Sequence, residues 1–374
     1  MVRIAFVINF SKKSWTGGFI FFENLIYFLI KHKKKIKISI ITNNKKNLKN
    51  FKYLNKIETL ETNLVSHNIN LKRIFDKFLI FFLGKSFFLE KFLIKNNINI
   101  ISHYTYCGYK SRIKSFPWFP DFQHINFPQN FSYKNKFFRN LNVKLSEKNS
   151  NGIILSSQSV KKDINKISKL AYKKSFVLHH ANRVLDRKNL YKLSFLKKKY
   201  DIKKQYFLLP NHYWVHKNHF VVLKALKYLS KQNFEILSTG LQHDHRDRNH
   251  IKRIKNYIKE NNLENKYKIL DLVPFKDLCS LMKYSIAVIN PSFSEGWGNS
   301  GDQAKLLGKP CILSKIPVHK EFKYKHAYYF NPKNYKELGI LLKKIKKKNI
   351  FIKQTNNKTE EKKYVDRYLK IILS

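Results

Sequence analysis

Short apolar runs alternate with amphipathic stretches along most of the chain. Arg3–Asn9 (RIAFVIN) and Ile36–Thr42 (IKISIIT) are β-branched runs of strand length. Between them Ser14-Trp15-Thr16-Gly17-Gly18 reads as a loop, and Phe19–Ile30 as a helix. Ile98–Ser102, Ile153–Ser156 and Phe176–Leu178 predict further strands, with a helix over Ser159–Ile167. The pattern resumes at Tyr206–Leu209 and continues through strands at Phe234–Ser238, Lys268–Leu272, Ser285–Asn290 and Cys311–Leu313. Helices at His219–Leu229, Ile251–Asn261, Lys276–Tyr284, Tyr335–Lys348 and Lys362–Leu373 separate or follow them. Leu71–Ile94 is apolar with basic punctuation, and predicts one amphipathic helix or a pair broken near Gly84. It reads either as a helix packed on a sheet or as a surface helix that dips its Phe side into a membrane.

Strand–helix alternation in two halves predicts an α/β protein with two doubly wound, Rossmann-like domains. The divisions are 1–182 for the first domain, 183–204 for a basic, polar linker, 205–355 for the second domain and 356–374 for a terminal helix. Residues 353–361 are polar and read as a flexible stretch. In such folds ligands bind at the C-terminal ends of the strands.

Composition narrows the function classes. The 374 residues include 75 Lys and Arg against 24 Asp and Glu, a formal net charge of +51. Such charge suits an anionic membrane face or a nucleic acid. Abundant Lys, Asn, Ile, Phe and Tyr beside only 11 Gly also fit an AT-rich coding bias. No RNP-like aromatic motif, zinc finger or helix-turn-helix signature supports nucleic acid as a partner. Three scattered cysteines, Cys107, Cys279 and Cys311, imply neither a disulfide framework nor a zinc cluster, and fit a reducing cytoplasm. His243-Asp244-His245 lacks a third ligand at suitable spacing, so no metal is expected. No run reaches the ~20 apolar residues that span a bilayer, and the N-terminus reads as a strand rather than a signal peptide.

The chemistry concentrates in Ser285–Glu321 (SIAVINPSFSEGWGNSGDQAKLLGKPCILSKIPVHKE), which reads as strand, glycine loop, helix and strand. Glu295, Gly296 and Gly298 suit a loop where backbone approaches a ligand closely. Ser300-Gly301-Asp302-Gln303 has the S-x-x-Q form of a capping box. A helix N-terminus there is a natural place for phosphate. S-E-G-W-G, A-K-x-L-G-K-P and P-V-H-K-E together resemble the E-x7-E region of the GT-B glycosyltransferases called glycosyl transferases group 1, or family 4. The likeness is greatest to mannosyl- or glucosyltransferase-type members that build bacterial O-antigen and other surface polysaccharides. Pro120-Asp121-Phe122-Gln123-His124 resembles the same transferases, and Lys217-Asn218 matches the end of their G-R-L…K-G/N pattern.

The resemblance implies two Rossmann-like domains facing a cleft, the first on the acceptor side and the second binding the nucleotide-sugar, with the last helix crossing back to the first domain, and a retaining hexosyltransferase with a nucleotide-diphosphate sugar as donor. The acceptor would be lipid-linked or saccharide, with no cofactor or metal. Glu295 stands where the first glutamate contacts the donor sugar. Gln303 replaces the second, which holds the ribose. Lys217 keeps one diphosphate cation, while His212 sits where arginine is usual and Asn211 where glycine is. His124 would serve near the reacting sugar, making His124, Lys217 and Glu295 the catalytic set. Gly17, Gly18, His212, Gly296, Gly298, Asn299, Ser300, Gly301 and Gln303 would bind the nucleotide-sugar. The implied place is cytoplasmic and peripheral on the inner membrane face. Gln303 and His212 also admit a catalytically weak relative that only binds nucleotide-sugar, and the charge a nucleic-acid-binding protein.

Overall fold

The computed structural model describes residues 1–12, 14–32, 36–66, 70–185, 187–229, 231–244, 246–348, 350, 352 and 358–373. His245, and 353–357 of the stretch read as flexible, lie outside the described residues. The chain forms two compact units, one of residues 1–181 with 358–374 and one of 182–357.

In the first unit the strands are β1 (Val2–Val7), β2 (Ile36–Thr42), β3 (Glu58–Glu61), β4 (Ile100–Ser102), β5 (Lys114–Phe116), β6 (Trp118–Phe119), β7 (Ile153–Leu155) and β8 (Ser175–Val177). They form two parallel sheets ordered β3-β2-β1-β4-β5 and β6-β7-β8. Pro117 divides β5 from β6: it has no N–H for a ladder, yet its carbonyl still accepts from Ile154 N at 2.8 Å. Strand order reverses between β1 and β4, so their C-terminal ends open a crevice.

The helix after β1 spans Thr16–Lys31 and buries Phe19, Phe22, Leu25, Ile26 and Leu29 against the sheet. It begins earlier than the sequence suggests, so Gly17 and Gly18 occupy its first turn rather than a loop. The final helix, Lys358–Leu373, packs Val365, Tyr368, Leu369, Ile371 and Ile372 into the same core.

The Leu71–Ile94 region is a pair of helices, Leu71–Leu83 and Phe88–Lys95, broken at Gly84 with φ +75°. The first is not packed on the sheet by its phenylalanines. It buries only Asp76 and Ile80, and leaves Phe75, Phe78, Phe81 and Phe82 exposed. Asp76 fixes the bend by accepting from the backbone N–H groups of Phe87, Phe88 and Leu89 at 2.7–2.8 Å. A carboxylate at that helix start also complements its dipole.

The second unit is one parallel sheet of β9 (Tyr206–Leu209), β10 (Glu235–Thr239), β11 (Tyr267–Leu270), β12 (Val288–Asn290), β13 (Cys311–Ser314) and β14 (Ala327–Phe330), ordered β11-β10-β9-β12-β13-β14. Its reversal lies between β9 and β12. The stretch read as a linker contains a helix, Leu193–Tyr200. Tyr200 and Lys199 hold it to the helix Phe275–Tyr284 through Asp277, each at 2.7 Å. Only Leu196 of that helix is buried, so the apolar pattern that announces a helix is missing.

Candidate active site

The loops leaving β9 and β12 meet beside each other at the reversal of the second sheet. The loop after β9 turns through Val215–Lys217, and Asn218, with φ +55°, leads into the helix His219–Tyr228. The Asn218 side chain donates to the carbonyls of Pro291 (3.1 Å) and Pro332 (2.8 Å). Phe293 N donates to the His216 carbonyl at 2.8 Å. Asn211, where the resembled pattern has glycine, donates to Asn290 Oδ1 at 3.0 Å. These bonds fix the two loops to one another.

They bring Lys217 and Glu295, 78 residues apart, into a two-oxygen ion pair: Lys217 Nζ lies 2.8 Å from both Oε1 and Oε2. The side chains are only 13% and 10% exposed, so the pair is largely withdrawn from water. Ser292 Oγ lies 2.7 Å from Glu295 Oε1 and from Asn290 Oδ1, and donates to one at a time. Asn290 Nδ2 donates to Glu295 Oε1 (3.2 Å) and to Ser300 Oγ (3.1 Å). Burial alone would raise the Glu295 pKa. The nearby Lys217 charge, the His319 ring and the hydrogen bonds from Lys217 and Ser292 outweigh it and hold the carboxyl at about 2. At neutral pH Glu295 is a carboxylate with acceptor capacity only.

His212 sits beside this pair. Its Nδ1 accepts from Leu241 N at 3.0 Å, which leaves the ring proton on Nε2. Burial first, then Lys217, lower its pKa to about 4, so it is a neutral donor and not a replacement cation.

The helix Asn299–Leu306 follows Gly298, whose φ is +95°. A Cβ on Gly298 would stand 3.2 Å from His319 Nε2 and from Phe322 Cζ, so glycine is required twice over. Ser300 lies inside the helix, and no side chain caps its start. The capping box is therefore absent. Gln303 is buried at 7% exposure, and its amide makes no hydrogen bond among the described residues. Asp302 instead accepts from Asn182 Nδ2 at 2.9 Å, and Asn299 Oδ1 from the same nitrogen at 3.3 Å. A Cβ on Gly301 would come within 3.0 Å of Phe322. Gly296 lies in the loop between Glu295 and Trp297.

His319 is a residue that spacing alone did not single out. Its Nδ1 donates to the Ser314 carbonyl at 2.9 Å, leaving Nε2 unprotonated, buried and without a partner among the described residues. Asn290 and Ser292 were missed too, and Asn211 was marked only as a replaced glycine. The available signal was polar residues closing or following an apolar strand, at the end where ligands bind.

In the first unit, Gly18 is explained by packing: a Cβ there would lie 2.4 Å from the Trp15 ring, whereas at Gly17 the nearest atom is 3.9 Å away. His124 lies on the short helix Gln123–Asn126 between Phe122 and Phe131. Its Nε2 donates to Asn140 Oδ1 at 2.8 Å, and burial lowers its pKa despite that bond. Among the described residues no group of three or more His, Cys, Asp or Glu side chains is placed to hold a metal ion, and Asp244 is engaged by Arg246 and Val215 N. No helix among them is long and apolar enough to cross a membrane.

Residues 194–364 match the family model described as Glycosyl transferases group 1. O-antigen chain mannosyltransferase RfbU of Salmonella typhimurium is 28% identical over 248 residues, 66% of this chain and 64% of that protein. The chain thus spans 64% of that relative's length. The structure of Anabaena HepE, solved with UDP and glucose, superposes with a TM-score of 0.73 at 15% identity, over 99% of this chain and 98% of that one. A glycosyltransferase from Rickettsia africae superposes with a TM-score of 0.67 at 18% identity, over 99% and 94%. The fold is GT-B, and the resemblance to glycosyl transferases group 1 is borne out.

Proposed function

We propose that this chain, which carries the group 1 match on a GT-B fold, is a retaining hexosyltransferase. It would move a sugar from a nucleotide-diphosphate donor to a lipid-linked or polysaccharide acceptor in cell-surface glycan synthesis. The observation that carries this reading is the Lys217–Glu295 pair at the strand-order reversal of the second sheet. Lys217 has three N–H donors, two of them directed at Glu295, so one remains for a diphosphate oxygen. Glu295, ionised and fixed by Ser292 and Asn290, would accept hydrogen bonds from sugar hydroxyls. His212 Nε2–H and the first-turn amides of the helix Asn299–Leu306 would add neutral donors where charge builds on the leaving diphosphate. Gln303 would meet the ribose with an amide, which both donates and accepts.

In this reading the leaving phosphate takes the acceptor proton, so no protein base is needed, and neither is a metal. His124 is given no role, because its Nε2 is spent on Asn140 and its Nδ1 is buried. The exposed Phe face of Leu71–Leu83, with Lys72, Arg73 and Lys77 on the same helix, would seat the protein on anionic lipid. The reaction would then run at the inner face of the membrane. The test is a thermal-shift and turnover screen with nucleotide-sugars of UDP, GDP, ADP and dTDP, followed by NMR of the product's anomeric centre. A product of inverted configuration overturns the retaining assignment. Failure of every nucleotide to raise the melting temperature overturns the donor assignment.

A further inference from the structure

His319 lies on the short helix Pro317–Lys320 that follows β13, and it is fully buried. Its Nδ1 faces the Ser314 carbonyl at 2.9 Å and Ser314 Oγ at 3.2 Å. Ser314 Oγ spends its own proton on the Ser292 carbonyl at 2.5 Å. Both partners of Nδ1 therefore accept, and Nδ1 carries the ring proton. Nε2 is left as a bare acceptor with no partner among the described residues. Buried polar atoms are normally satisfied, so this one calls for a reason. Nε2 is aimed at Gly298, where a Cβ would stand 3.2 Å from it. Gly298 is the residue that opens the helix Asn299–Leu306, so the orphaned nitrogen lies directly behind the start of that helix.

The groups around the ring decide its charge. Burial dominates and holds the free ring at about 4. Glu295, from the loop after β12, and the bond to Ser314 favour a charged ring, while Lys217, from the loop after β9, opposes it. Phe322, stacked on the ring at 5.9 Å, and Gly298 bring no charge. Tyr329 of β14 donates its hydroxyl to the His319 carbonyl at 3.2 Å, and burial keeps that phenol protonated. Lys320, next on the same short helix, is exposed. The site as a whole is short of positive charge. Lys217 and Glu295 cancel one another, and His212 is neutral. A nucleotide-sugar brings a negative charge on each phosphate, which the helix start meets with partial charges only. An imidazole nitrogen without a proton is the group there that can gain a full one.

We propose that His319 is the second cation for the donor diphosphate, and that it takes a proton from solvent at Nε2 as the nucleotide-sugar binds and returns it when the nucleotide leaves. The proposal rests on the sugar-transfer reading, and adds to it the source of the charge that His212 does not supply. A negative charge ~5 Å from a ring, in surroundings of effective dielectric constant ~20, shifts its proton equilibrium about a hundredfold. The charges of a diphosphate are thus enough to bring a ring from about 4 into the neutral range. Between the free and the bound values the complex holds one more proton than the free protein. Donor affinity therefore rises as pH falls through that range, and is level above it. A larger residue at position 298 would push the ring away from the helix start, which gives the glycine there a part in the same device.

The experiment is calorimetry on the full chain with UDP-glucose, GDP-mannose, ADP-glucose and dTDP-glucose, in buffers of different ionisation enthalpy. The diphosphate of these ligands is a diester with no proton to exchange near neutrality, so any uptake belongs to the protein. The donor that binds should bring about one proton at pH ~6.5 and almost none at pH ~8.5, with affinity rising up to about tenfold for each pH unit of acidification between them. His319→Gln keeps an amide but no titrating ring. It should lose the uptake, bind the donor about tenfold more weakly at pH ~6.5, and match the wild type at pH ~8.5. Should that variant not fold, ¹⁵N-histidine NMR of the wild type decides: an Nε2 that is bare in the free protein should gain a proton on addition of the donor. Donor binding without proton uptake, or uptake that persists in His319→Gln, overturns the proposal. So does uptake that His212→Gln removes and His319→Gln does not. Failure of all four donors to bind overturns the sugar-transfer reading itself, and this proposal with it.

Discussion

Lys217 shows how one side chain can be both a functional and a structural group. Its sequence context marks a diphosphate cation, and on that ground alone its removal would leave the fold untouched. The structure makes it the main counter-ion of a carboxylate that is 10% exposed. Lys217→Ala should therefore cost roughly 3 kcal/mol of stability as well as activity, because it strands a buried charge. Lys217→Met with Glu295→Met should be equally inactive yet unfold at higher denaturant than Lys217→Ala. Equal midpoints for the two would show that the pair is hydrated and weak. Gln303 changes in the opposite sense. Without a capping box, Gln303→Ala should leave the unliganded melting temperature nearly unchanged while weakening nucleotide binding by about 1 kcal/mol, a neutral hydrogen bond. Gln303→Glu should keep activity and tighten nucleotide binding modestly, since a charged acceptor gains on ribose what it partly loses to diphosphate repulsion. Calorimetry with the preferred nucleotide decides, and unchanged affinity in Gln303→Ala would place the ribose elsewhere. Glu295 and Lys217 were legible because their residue types and flanking glycines are specific. The asparagines and serines that position them were not, because a polar residue after a strand looks like any solvated turn.

At the scale of elements, most strands were legible from apolar runs bounded by turns, and most helices from their apolar stripe. The helix Tyr133–Asn149 was missed because it buries only Val143, Ser146 and Asn149, too little for a stripe to show. β3 was missed for a similar reason, as none of its four residues is buried. Leu71–Leu83 is the opposite case: its stripe is plain, but the stripe faces away from the core. Hydrophobic period identifies a helix and says nothing of what covers it. With the bend held by Asp76, this face is presented without an ordering cost at binding. Phe78→Ser with Phe81→Ser and Phe82→Ser should abolish flotation with anionic vesicles and barely change stability, because exposed rings contribute little to the fold. Each ring that enters lipid is worth about 1.5–3 kcal/mol, and the basic residues add a contribution that salt screens. Binding to neutral vesicles as tight as to anionic ones would remove the electrostatic part.

The whole molecule carries a pH dependence that no single motif announces. Burial lowers His103, His216 and His219 to about 3 and His212 and His319 to about 4, against ~6.5 in an unfolded chain. Between those values the unfolded chain binds the more protons, so stability is complete above pH ~6.5 and is lost as pH falls toward 4. Glu295, held at about 2, contributes above its unfolded value and adds its own loss only below it. The melting temperature should be level from pH 8 to 7 and drop steadily from pH 6.5 to 4. A level profile through that lower range would mean the rings are charged in the folded state. Four of the five histidines belong to the second unit, which should fail first in acid. The helix Lys358–Leu373 has a further consequence, for synthesis. Residues 1–181 leave the ribosome well before it, yet their core under Phe6 and Phe28 is closed by Val365, Tyr368, Leu369 and Ile372. The second unit is complete in sequence before the first can finish its own core. Newly made chains therefore carry an uncovered apolar groove for the whole time that the intervening residues are translated, and at that stage they depend most on chaperones.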